Sequence, residues 1–192
     1  MENKYELTDE TTEVDGKTLH RIRALRDFGG IKAGSLGGLI EHEGNLSHEG
    51  NCWIWYKACV FGDARVYGNA HVYGYAYVSD KAEVYGNAKI KDGHVGDSAR
   101  IYGDAKIYDY AEVYGEACVS HNAEVYGYAK VFGDALVFGN AHVHGRAKVY
   151  DEARVYDKAE IYGEAKVYGD AEVYRSAHVD DYNAISTGEK TR

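Results

Sequence analysis

The chain has 192 residues, of which 28% are charged, and a formal net charge of −9. That length suits one domain-sized unit with a sizeable core, and that balance argues against binding nucleic acid through a basic surface. No apolar run approaches the roughly 20 residues of a membrane-spanning helix, so neither nucleic acid nor membrane is an expected partner.

Residues 1–50 differ in character from the rest. The opening MENKYELTDE lacks a basic-then-apolar signal segment. Cys52, Cys59 and Cys118 are odd in number and show no metal-ligand spacing. They read as reduced thiols, Cys52 inward and the other two outward, so a cytoplasmic protein without a metal site is expected. Thr11–Val14 and Lys17–Leu25 are predicted strands, joined by the hairpin signal Asp15-Gly16. A glycine-rich run follows, from Phe28 through Gly29, Gly30, Gly34, Gly37 and Gly38 to Leu39-Ile40.

From Cys52 to Val179 the sequence repeats every six residues: Ala, a variable residue, Val or Ile, Tyr or Phe, Gly or Asp, and a second variable residue. Alternation within each unit predicts a short strand with Ala and the aliphatic residue inward and the residue between them outward. Gly or Asp two places after the aliphatic residue marks a corner, since these residues tolerate the left-handed backbone. A strand and a corner every six residues define a hexapeptide β-helix, three units to a triangular coil. About seven coils are expected over residues 51–185. Each buries its ends only against its neighbours, so residues 1–50 are expected to cap the N-terminal end and its unpaired edges. One step is short: Ile90 to Val95 spans five residues, Gly93 taking the inward Ala position in a tightened corner. The pattern decays after Val179, and residues 186–192 are expected to form a disordered tail.

The repeat resembles the left-handed hexapeptide-repeat β-helix family, in which an aliphatic residue is followed four places later by a small one, as in Val60–Ala64 and Val66–Ala70. Handedness is implied by that resemblance alone, as is the family's acyltransferase activity, which works from clefts between trimer subunits with a His base and a coenzyme A thioester. KYEL, VDGK, RALRDFGGIKAGSLGG and EGNCWIW are similar to the start of the YdcK-type proteins, classed as transferases without an established reaction. The fold expected is therefore all-β: a single-stranded left-handed β-helix with a hairpin and glycine-rich cap.

Candidate chemistry lies on the outward positions. His71, His142 and His178 share one face, with Glu124 and Glu160 one coil either side of His142, an arrangement that could supply a general-base pair. Tyrosines fold into columns, among them Tyr75, Tyr110 and Tyr128 at a corner, which could stack on a flat ligand. Trp53 and Trp55 flank Ile54, packing beneath the cap or offering an aromatic anchor. The unbroken repeat supplies no insertion to build a substrate pocket. The leading reading is a non-enzymatic scaffold without a cofactor, acting through its faces and aromatic edges by self-association or on a protein partner. The alternatives are an acyltransferase with subunit-interface sites, a trimer in that case, and a small-ligand, nucleotide-binding or decoy module.

Overall fold

The computed structural model describes residues 3–190, and their side chains as far as residue 188. The repeating stretch folds into two- or three-residue strands joined by corners. Every third strand pairs in parallel, as Lys130–Val131 does with Glu112–Val113 before it and Lys148–Val149 after it. Three parallel sheets result, each eight strands deep within the solenoid. The molecule thus has about eight turns, one more than expected, because the last coil continues past Val179. Glu189–Lys190 pairs with Glu172–Val173, so the expected disordered tail is corrected at those residues. Thr191 and Arg192 lie outside the described residues.

The core is a stack of Ala and Val or Ile side chains. From Ala58 to Val179 the inward positions are buried, as Val113, Val131 and Val149 are at 0% exposure. Burying each aliphatic side chain is worth about 1.5–3 kcal/mol. The corners take positive φ, for example 69° at Gly68 and 60° at Asp80. Aspartate adds a bond there: Asp97 Oδ2 accepts from Gly115 N at 2.9 Å, and Asp157 Oδ2 from Arg175 N at 3.0 Å. The carboxylate thereby ties one coil to the next.

The N-terminal region caps the stack by adding strands to it. Strand β1 (Tyr5–Val14) pairs antiparallel with β2 (Lys17–Ala24), and β2 with β3 (Leu36–Ile40). Strand β3 then pairs in parallel with Cys59–Val60, giving one sheet of eleven strands. Strand β1 starts six residues before its predicted segment, β2 ends one residue before its own, and β3 lies within the glycine-rich run. Close packing explains its glycines. A Cβ at Gly38 would overlap Ile54 and fall 2.6 Å from the Ala58 carbonyl oxygen. One at Gly37 would come within 2.6 Å of both Ile22 and Trp53.

Beneath the cap sits a buried lysine. Lys4 Nζ donates to the Cys52 carbonyl at 3.0 Å, lies 3.1 Å from Cys52 Sγ, and stands 5.1 Å over the Phe28 ring. Burial lowers the Lys4 pKa and raises that of the Cys52 thiol, the direction expected when each charged form loses its water. Cys59 and Cys118, though outward, are also buried.

Candidate functional site

The short, straight strands hold equivalent side chains one coil apart, and the aromatic residues therefore stack. Tyr67, Tyr85 and Tyr102 stack at 4.8 and 5.0 Å along one edge. Phe138, Tyr156 and Tyr174 continue that edge at 4.9 and 5.0 Å. Tyr114, Phe132, Tyr150 and Tyr168 form a second ladder. The third, Tyr108, Tyr126 and Tyr162, includes His144, which stacks on Tyr126 at 4.7 Å. These rings are half-buried along the edges. Partial burial, with Glu83 close by, pushes the Tyr67 phenol up to about 12.

The sheet that begins at Trp53 carries the predicted histidines and carboxylates on its outer face. Its register runs Trp53, His71, Lys89, Lys106, Glu124, His142, Glu160, His178. Glu124 and Glu160 do flank His142, but the close contacts fall elsewhere. Glu160 lies 3.0 Å from His144 Nε2 and 3.1 Å from His178 Nδ1. Glu124 accepts from Lys106 at 2.7 Å and from the Tyr108 hydroxyl at 3.0 Å. Burial opposes ionisation of Glu124, yet those two donors outweigh it and its pKa is lowered. His71 Nδ1 lies 3.2 Å from Trp55 Nε1, and burial lowers the His71 pKa, with Lys89 and Lys4 adding to the effect.

Of the two tryptophans, Trp55 is half-buried and stacks on Tyr73 at 5.9 Å. Trp53 is 0% exposed. The cap covers it, with Phe28 edge-on at 5.4 Å, so its reading as a surface anchor is corrected.

The exposed tyrosines are concentrated on one corner. Tyr110 and Tyr128 stack at 5.3 Å and Tyr75 meets Tyr56 edge-on at 6.2 Å. With Tyr182 farther along the same corner, these five are 56–85% exposed and are the large aromatic side chains most open to solvent among the described residues. The remaining large exposed apolar residues, Leu25 and Leu36, belong to the cap. Beside this corner the regular surface is interrupted. Three cavities surround the short coil at Asp92–Gly96: one between Tyr75 and Tyr110, one between Tyr73 and Tyr108, and one between Phe61 and Tyr114 under the hairpin tip. The five-residue step was the sequence signal for them, but its effect appears only once the coils are stacked. In the second cavity, Lys89 and Lys91 enter no ion pair among the described residues.

Parallel strands, an unbroken aliphatic core and stacked corners make the chain a β-solenoid repeat protein. Residues 60–80 and 129–145 match the model of the YdcK Beta solenoid repeat family, so those two stretches are similar to its repeat. The chain matches no curated protein.

Proposed function

We propose that the chain is a non-enzymatic β-solenoid scaffold that self-associates through its tyrosine-bearing corner. The observation that carries this reading is the gathering of Tyr56, Tyr75, Tyr110, Tyr128 and Tyr182 on one edge, while the other ladders are half-buried. Tyrosine is enriched at protein interfaces because it offers a large apolar face with a hydroxyl that tolerates water. Self-association by way of one such edge per chain is isologous, each edge meeting its own copy, and closes at two subunits. The imidazoles and carboxylates of the neighbouring face support a structural role. They are spent on hydrogen bonds, a lysine–carboxylate pair and ring stacking along a regular surface, with Lys or Trp at equivalent positions of other coils.

Sedimentation velocity across a concentration series tests the proposal. The native chain should show a monomer–dimer equilibrium, and a Tyr128→Ser/Tyr182→Ser chain should remain monomeric with an unchanged circular dichroism spectrum. A native chain that stays monomeric at every concentration would remove self-association from the account.

A further inference from the structure

One coil of the solenoid lacks a residue, and the position lost can be identified. Tyr73 pairs with Lys91 and Lys91 with Tyr108. Across the corner, Tyr77 pairs with His94 and His94 with Glu112. Three residues lie between Tyr73 and Tyr77 and three between Tyr108 and Glu112, but only Asp92 and Gly93 lie between Lys91 and His94. The missing residue is the one that would stand between Tyr75 and Tyr110 in the exposed corner column.

The two tyrosines are accordingly two coil steps apart, about 9.6 Å at the usual strand spacing. That leaves room for one further ring stacked as the ladder's own rings stack. Each tyrosine is already covered on its far side. Lys57 Nζ stands 5.4 Å from the Tyr75 ring centroid, and Tyr128 stacks on Tyr110. Their remaining faces line a common cavity of about 530 Å³, together with Asp92 and His94. The Asp92 carboxylate closes its base. Oδ1 accepts from Tyr75 N at 2.7 Å, replacing the carbonyl that receives the equivalent amide in regular coils, as Gly127 O receives Tyr110 N. Oδ2 accepts no hydrogen bond among the described residues. Around the corner, Lys89 and Lys91 line an adjoining cavity of about 340 Å³ that shares Asp109 with the first. They form an unpaired cationic patch on a chain of net charge −9.

We propose that the slot left by the missing corner residue binds a nucleoside phosphate. The base takes the place of the absent rung between Tyr75 and Tyr110, an exocyclic amine donates to Asp92, and the phosphate meets Lys89 and Lys91. Stacking between aromatic faces is sequence-tolerant and supplies most of the hold on a base, the carboxylate selects amine-bearing bases, and the lysines select the anion.

The test is a titration of the full chain with adenosine and cytidine 5′-monophosphates, followed by NMR chemical shifts, with adenosine and inorganic phosphate as component probes. Saturable shifts are expected with the monophosphates, weaker binding with adenosine and none with phosphate. Tyr110→Ser should weaken both nucleotide and nucleoside by roughly tenfold. Lys91→Ser should weaken the monophosphates and leave adenosine unchanged. Inserting one tyrosine between Asp92 and Gly93 restores the regular eighteen-residue coil, fills the slot and should abolish binding in a folded chain. The titration is repeated on Tyr182→Ser, whose slot is intact, at a concentration where sedimentation velocity finds that chain monomeric, so that an edge covered by a second copy is distinguished from an absent site. Binding in the native chain, or in Tyr182→Ser alone, supports the slot. No saturable shift in either chain, or unchanged binding after the insertion, overturns the proposal.

Discussion

Substituting aspartate at two adjacent positions of the central coil separates the inside of the solenoid from its outside. Val131 is wholly buried between Val113 and Val149. Val131→Asp forfeits the aliphatic burial, about 1.5–3 kcal/mol. The carboxyl must also enter the core protonated, and a pKa raised by roughly three units costs about 4 kcal/mol at neutral pH. The total, about 6 kcal/mol, is comparable to the whole stability of an ordinary domain, about 5–15 kcal/mol. Since each coil is held only by its neighbours, the loss should unravel the stack around it. Lys130 precedes Val131 but points outward and pairs with Glu112 at 2.7 Å, both side chains being more than a third exposed. An exposed pair of this kind is worth about 0.2–1 kcal/mol, so Lys130→Asp should cost about 1 kcal/mol. Urea unfolding followed by circular dichroism measures both. Val131→Asp should be unfolded in buffer, and Lys130→Asp should shift the midpoint only slightly. Similar midpoints for the two variants would refute the assignment of inward and outward positions.

Gly38→Ala should loosen the cap, at a cost of about 1–3 kcal/mol for the overpacking, because its Cβ would meet Ile54 and the Ala58 carbonyl. Hydrogen exchange should locate the loss of protection in β3 and the Trp53 strand, and an unchanged cap would contradict the close-approach argument. Stability should fall as pH drops from about 7 towards 5. Burial lowers the pKa of both His48 and His71 in the folded chain. Below the unfolded value of about 6.5 the unfolded chain therefore binds protons that the folded chain does not, which favours unfolding. His71→Gln should flatten part of this dependence in thermal melts, and a slope identical to that of the native chain would contradict it. Glu124 acts lower on the pH scale. Its lowered pKa gives stability that is present above the unfolded carboxylate value, about 4.3, and lost as pH falls below it, so Glu124→Gln should reduce the acid sensitivity seen below pH 5.

The solenoid was legible because one short pattern is repeated. Alternation placed Ala and Val inward, and Gly or Asp marked each corner, so the tyrosine ladders follow from register alone. Three kinds of feature were not legible. Strand β3 reads LGGLI, and its glycines signal a loop until the approach of Ile54 and Ala58 shows why side chains are excluded. Trp53, by contrast, was legible as packing beneath the cap, since alternation places it outward and the cap lies on that side. Lys4 could not be anticipated in the interior, because a lysine there needs partners such as the Cys52 carbonyl that only the folded chain assembles. The five-residue step at Ile90–Val95 was visible, whereas its consequence, a gap in an aromatic column, requires the coils above and below it.

Native mass spectrometry on gently purified protein tests the central claim most directly, since it reads assembly and retained small molecules together. The account predicts a dimer at twice the chain mass that is lost in the Tyr128→Ser/Tyr182→Ser chain. A monomer at all concentrations, or a dimer indifferent to those substitutions, would contradict the assignment of the tyrosine corner as the working surface of this solenoid.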